Sequence, residues 1–552
     1  MRRLTPGQGA RQRASHGAPA LLLVAAIAEL ALVAATWGAP ATARARAGSA
    51  SVPAGLPSHF SFGLMDAPGG ASFLDNMRQR NGTAWDYRYQ YLAGGVNTGA
   101  GWSTWNQPAG SFATYYLQES ASHGYRPAFV YYNLLQSRGP SGGGEAGTDL
   151  AHLADPATMH AYYADWTLLM QRIGAAGQPV LVIVEPDLWG FIEQAAVRAG
   201  TNSAASVPAS VASAGNATLA GLPNTAQGFA RALLTLRTHY ASNAVLALHA
   251  SPWGTLTDIA SDPRTGLDAA GLGRQTAAFL RTAGLAGTPG LPSGLAPFDL
   301  VSADIADHDS GQSGIWWDPT NQRFPNFARY LTYASALTSS AGARLLLWQV
   351  PVGNQVYETE DNSPGHTQDN KATYIVGHVA ALAAAGIVGV LFGPGNGGTT
   401  ATDGRRDSIT NGSGAPISSY QCARCNTQVS VYPDDDGGYL RLQLGQYYTH
   451  DAYPLPGAGN AAPAPEATAT PARRASPTAT GTRSAAATVG RASRGGESAA
   501  GAGGALGMVP WLVGGGLLLL GGAGGAYLRR RQSKSERAQK AARETVRVKT
   551  PW

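Results

Sequence analysis

Cysteine is almost absent from this chain: 552 residues hold two, Cys422 and Cys425. One pair cannot build a disulfide framework or a four-cysteine zinc site. Its C-x-x-C spacing lies outside the strand-to-helix setting of a redox motif, so a local loop disulfide in an oxidising compartment is expected. Charge is scarce as well, at 13% of residues, and unevenly placed. The whole chain carries +6, yet residues 51–456 contain 20 Arg and Lys against 29 Asp and Glu. That stretch lacks a basic excess, which argues against a nucleic-acid partner. No G-x-G-x-x-G turn follows the first apolar strand, which ends LMDAPGG. This absence weighs against a doubly wound dinucleotide fold. The GPGNGG string after the last strand has no nucleotide context and reads as a turn. No H-E-x-x-H helix occurs, and no cofactor is implied.

What is present is a repeat. Eight short apolar runs read FSFGLMD, YRYQYLAGG, PAFVYYNLLQ, PVLVIVEPDLWG, AVLALHASPWG, FDLVSADIADHD, RLLLWQVPVGN and GIVGVLFGPGN. Segments with helical spacing separate them, such as residues 155–177, which begin Asp-Pro and end Gly, and residues 326–342. Strands alternating with helices predict a single (β/α)8 barrel over residues 51–456, its long loops on the catalytic face after strands two, four, six, seven and eight.

The ends are of another kind. Arginines at 2, 3, 11 and 13 precede an apolar run from Ala18 to Trp37 and the small residues Ala41-Thr42-Ala43. Residues 1–45 therefore read as a signal peptide cleaved after Ala43 or Ala45, with an uncleaved anchor as the alternative. Residues 457–504 are almost entirely Ala, Pro, Thr, Ser, Gly and Arg, the composition of a linker. Residues 505–528 form an uncharged apolar run long enough to cross a bilayer, followed by Arg529-Arg530-Arg531 and a basic tail at 529–552. The expected topology is a single-pass membrane protein with its large domain outside the cell.

In such a barrel the reactive groups stand at the C-terminal ends of strands. The fourth strand ends at Glu185-Pro186-Asp187. Pro186 restricts Glu185 to an extended backbone, and a carboxylate at the rim is partly desolvated, which suits a general acid. Asp187 is a second candidate, or a cap for the next helix. The sixth strand ends with Asp304, Asp307 and His308, and alternation puts Asp304 beside Ser302 on the inward face. His249, Asp304 and His308 could also assemble a metal site, though no ligand spacing supports one. Asp66, Tyr89, Trp189, His249, Trp253, Trp317, Trp348, Gln349 and Asn354 lie at or just past strand ends. Aromatic faces there suit sugar rings, and the polar groups suit hydroxyls.

With these residues in place, the strand order with Glu185 at the end of the fourth strand resembles the (β/α)8 glycoside hydrolases. VIVEPDLWG (Val182–Gly190) is similar to the E-P-D segment of family-6 cellulases, a likeness that implies a base at Asp187. Many retaining barrel glycosidases carry a nucleophilic Glu on the seventh strand, where this chain has Gln349. The resemblance therefore implies a cell-surface hydrolase of a polysaccharide or oligosaccharide, with catalytic carboxylates drawn from Glu185, Asp304, Asp307 and Asp187, acting with inversion. A non-catalytic carbohydrate-binding barrel and a metal-dependent or polysaccharide-modifying hydrolase are the alternatives.

Overall fold

The eight apolar runs close into one ring. The computed structural model describes residues 50–305, 317–351, 370–393, 439–450 and 452–456. All of them belong to one compact unit, Gly48–Trp552. The strands are β1 (Ser61–Met65), β2 (Tyr87–Leu92), β3 (Arg126–Tyr131), β4 (Val180–Val184), β5 (Ala244–His249), β6 (Leu300–Asp304), β7 (Leu345–Pro351) and β8 (Ile387–Gly393). Each pairs in parallel with the next, and β8 returns to β1, so the ring has no free edge. Around it lie α1 (Ala71–Asn81), α2 (Ser111–Ser122), α3 (Gly144–Ala154), α4 (Pro156–Ala176), α5 (Pro186–Arg198), α6 (Ala226–Tyr240), α7 (Ala269–Ala283), α8 (Asn326–Ala341), α9 (Asn370–Gly377), α10 (Val379–Ala384) and α11 (Tyr439–Thr449). The (β/α)8 barrel expected from the apolar runs is the fold observed.

Register decides which side chains fill the ring. Parallel partners face the same side, and neighbours along a strand alternate. Tyr91 on β2 meets Trp348 on β7, and Trp348 meets His249 on β5. These strands are not adjacent, so the three rings meet inside the barrel. From them, the pairs Tyr91↔Val130, Ile183↔Ala247, His249↔Ser302 and Asp304↔Trp348 carry the inward face around the wall. Space inside is tight. A Cβ on Gly393 would overlap the Tyr89 hydroxyl, and one on Gly63 would meet Leu391 and Tyr87.

The other face of the wall packs on the helices. Tyr131, Tyr162, Trp166, Phe229 and Trp189 form a continuous buried aromatic cluster between β3, α4, α5 and α6. At the opposite end of the ring, α11 holds the first strands. The Tyr447 hydroxyl donates to Phe60 O at 2.7 Å, and that of Tyr448 to Asp86 Oδ2 at 2.6 Å. The Arg344 guanidinium donates to the carbonyls of Ala50 and Pro456, so both ends of the described unit meet at one side chain at the foot of β7.

Cys422, Cys425 and the expected signal and membrane segments lie outside the described residues. Among the described residues no helix is long and apolar enough to cross a membrane.

Helix α4 begins as its Asp-Pro start suggests: Asp155 accepts from Thr158 N at 2.8 Å, and Pro156 occupies the first helical position. Asp155→Ala is expected to lower unfolding stability by about 1 kcal/mol in urea titrations. An unchanged midpoint would show that the cap contributes nothing.

Candidate active site

The inward groups at the C-terminal end of the ring form one polar and aromatic constellation. Ser302 and Asp304 share the inward face of β6, and Asp304 is 2% exposed. Its main-chain oxygen accepts from the Tyr330 hydroxyl at 3.0 Å, which ties this strand end to α8. Beside it, the Trp348 indole nitrogen donates to His249 Nδ1 at 3.3 Å, and Ser302 Oγ lies 3.2 Å from the same nitrogen. An indole N–H can only donate, so Nδ1 accepts and the ring proton sits on Nε2. Burial pushes the His249 pKa down to about 3, so the ring is neutral in ordinary buffers. Its Nε2 has no hydrogen-bond partner among the described residues, nor does the Tyr89 hydroxyl. The mouth therefore presents a carboxyl group, two unspent hydroxyl or imidazole donors and the rings of Tyr91 and Trp348.

Glu185 stands elsewhere. Its backbone is not extended ahead of Pro186 but left-handed, at φ 41° and ψ 67°. That turn swings the carboxylate away from the mouth and into the layer between β3 and α4. There it accepts from the backbone N–H of Asn133 (3.1 Å) and Leu134 (3.2 Å), with Tyr162 beside it. A non-glycine residue in this conformation costs on the order of 1 kcal/mol or more. The two amide bonds to a charge-capable acceptor offset it, and α5 can then start at once with proline in its first turn. Burial lifts the Glu185 pKa to about 8 against the pull of both amides. The expected strand geometry at Glu185 is thus replaced by a buried carboxyl that holds the exit of β3.

Asp66 is also turned away. It follows the inward Met65, so alternation sends it outward, where its carboxylate lies 2.6 Å from Arg88 Nε. Arg88 is itself buried, lies over the Tyr116 ring at 4.6 Å, and reaches Glu119 at 3.2 Å. Burial raises the Asp66 pKa to about 6 even so. Trp189 packs parallel to Phe229 at 5.6 Å on the helix side of the wall. Trp317 is buried against Phe327 and Tyr330. Both are 1% exposed, so they pack the helix layer rather than offer a platform to a ligand. Trp253 is half-buried against Phe191 on α5, at 5.0 Å. Gln349 is half-buried and left-handed at φ 52°, beside the irregularity where β7 and β8 shift register. Asp307, His308 and Asn354 lie outside the described residues. Among the described residues no three His, Cys, Asp or Glu side chains are grouped to hold a metal.

A second constellation sits at the ends of β3 and β4. Asp187, half-buried, lies in the first turn of α5, where the helix N-terminus favours negative charge. Tyr132 donates to the exposed Glu145 on α3 at 3.3 Å. One helical turn deeper, Asp149 is buried. Burial and the nearby carboxyls of Glu185, Asp187 and Glu145 push its pKa well above the usual range. Asp149 is absent from the candidates drawn from the sequence. The signal for it is Glu145 and Asp149 four residues apart just after the third strand, which places both on one helix face at the catalytic end.

No family model matches the chain, and no curated protein does. The likeness of Val182–Gly190 to family-6 cellulases gains no support. Among solved structures, the chain is similar to a modular endo-β-1,4-mannanase of glycoside hydrolase family 26 from Cellulomonas fimi, at 12% identity over 74% of this chain and 77% of that one, with a TM-score of 0.37. It is similar to a family-26 β-(1,4)-mannanase with a family-35 carbohydrate-binding module from Podospora anserina, at 12% identity and a TM-score of 0.28. The match covers 61% of this chain and 56% of that one, little more than half its length. A family-30 endoxylanase from Clostridium papyrosolvens matches at 11% identity over 73% of both chains, with a TM-score of 0.31. Matches this distant say nothing of the site.

The folded Glu185 carboxyl keeps its proton to about pH 8, whereas the unfolded one loses it near 4.5. The folded chain then binds more protons between these values, so this group's contribution falls as pH rises through that window. Glu185→Gln keeps a carbonyl for the amides without the charge. It is expected to flatten the pH dependence of stability between pH 5 and 8, by at most on the order of 4–5 kcal/mol. Urea titrations at the two pH values measure this, and identical slopes in the parent and variant would refute it.

Proposed function

We propose that this protein is a glycoside hydrolase acting on a polysaccharide at the C-terminal face of its barrel. The observation that carries this reading is Asp304, an inward carboxyl group at the mouth beside Trp348 and the His249 Nε2–H. Glycans offer hydroxyl oxygens to such donors and apolar ring faces to such aromatics. Asp304 and Asp187 share the acid and base work: one protonates the leaving oxygen while the other draws a proton from the attacking water. His249 donates to a sugar oxygen, and Tyr91 and Trp348 contact ring faces. Glu185 acts through Asn133 and Leu134, whose backbone it fixes below Tyr132. Gln349 cannot form a glycosyl ester, which favours inversion over a covalent intermediate on β7. The signal, linker and apolar C-terminal segment support a single-pass protein that holds this barrel outside the cell, facing its substrate.

Two observations favour a second reading. Glu185 is engaged by backbone amides, and Gln349 takes a position where many retaining glycosidases carry Glu. A carbohydrate-binding barrel without hydrolysis would tolerate both.

Incubation of the protein with soluble mannan, xylan and cellulose oligomers separates the two readings. Hydrolysis releases new reducing ends, and proton NMR of the first product gives the anomer. Asp304→Asn is expected to lower kcat about a hundredfold or more while substrate still binds. Full activity in that variant would remove Asp304 from the chemistry. Binding with no release by the parent protein would leave the second reading in its place.

A further inference from the structure

Asp149 poses an electrostatic problem that the proposed reaction does not solve. It is 1% exposed, and neither carboxyl oxygen has a hydrogen-bond partner among the described residues. A buried carboxylate left this way is costly, by several kcal/mol, unless it takes up a proton or meets a cation. The groups that face it are Glu185 from the end of β4, Asp187 from α5, Glu145 from its own helix and Tyr132 from the end of β3. Each is acidic, and none stabilises its charge. His152, on the same helix, already has its Nδ1 2.8 Å from Leu134 O.

The arrangement is graded from solvent inward. Glu145 is exposed, Tyr132 and Asp187 are half-buried, and Asp149 is buried. The Tyr132–Glu145 bond that lies above it is long, at 3.3 Å, so it yields readily to a better donor. A ligand group entering here meets carboxyl groups from the exposed Glu145 inward and ends at the two Asp149 oxygens, which have no hydrogen-bond partner among the described residues. A hydroxyl group supplies a donor but no charge. An ammonium group supplies three donors and the missing positive charge.

We propose that Tyr132, Glu145 and Asp149 form a subsite, next to Asp187, for the ammonium group of an amine-bearing sugar. The inference rests on the reading of the mouth as a glycan site and names the class of glycan: one with free amino groups. Burial and the neighbouring carboxyls hold a proton on Asp149 in the empty site, so binding of the ammonium releases it to the solvent.

Titration calorimetry on the full-length protein in detergent tests this with two probes, a β-1,4-linked glucosamine tetramer and its N-acetylated counterpart. The parent is expected to bind the free amine at least about tenfold more tightly and to release protons on binding, seen as a dependence of the heat on buffer ionisation. Asp149→Asn is expected to bring the two affinities within about twofold while leaving the acetylated tetramer unaffected. Its melting temperature confirms that the isosteric change has not unfolded the domain. Glu145→Gln, an exposed change that spares the fold, is expected to reduce the preference about two- to threefold. Equal affinities in the parent, or a preference that survives Asp149→Asn, would overturn the inference. Binding of mannan or xylan oligomers without any amine preference would overturn it alone and leave the glycan reading standing. Failure of every glycan to bind would overturn both.

Discussion

Closure of the eight strands is the constraint on which everything at this site depends. In a closed parallel ring each inward side chain is opposed by those of strands across the lumen, and each outward one is covered by a helix. A one-residue difference along a strand therefore moves a group from the mouth to the packing layer. Met65 and Asp66 show the effect on β1. The first lines the ring, and the second is buried beside Arg88 behind it. The same rule puts Asp304 inside with Ser302, opposite a lumen already filled by Tyr91, Trp348 and His249.

Glu185 is the place where that rule is broken, and the reason is local. Alternation from Ile183 would send it inward. The left-handed backbone reverses it, and two main-chain amides at the exit of β3 receive its carboxyl. The consequence spreads beyond one side chain. Glu185 fixes the turn at Asn133 and Leu134, which leads out of Tyr132. Its carboxyl also lies close enough to Asp149 to raise that group's pKa. A residue that looks like chemistry in the sequence thus becomes the support on which a second acidic constellation rests.

The two halves of the mouth differ in electrostatic character. On the β5–β7 side a neutral imidazole, an indole and a single carboxyl are buried together in the lumen. On the β3–β4 side the charges of four carboxyl groups act on one tyrosine, and two of these groups are buried. One side suits neutral hydroxyl and ring contacts, and the other draws positive charge. A glycan carrying amines on some of its sugars would satisfy both together.

The barrel was legible in the sequence because its signal is periodic and repeated. Eight apolar runs, Gly stops and the Asp155-Pro156 start depend on backbone and solvent preferences that act within a few residues. The inward placement of Asp304 follows from the same short-range alternation. The direction of Glu185 did not, because it depends on amides just past the end of another strand, which are 51 and 52 residues away in the chain. Trp189 and Trp317 look like platforms in a string of letters, and only the rings packed against them show otherwise. Asp149 becomes visible as a functional group only when the fold brings Glu185 and Asp187 to it. The sequence by itself determined the ring and the alternation of its strands, since those are local and hydrophobic. The tertiary structure alone decided which carboxyl groups face the lumen and which are held behind the wall, since burial and pairing are properties of groups that meet only after the ring has closed.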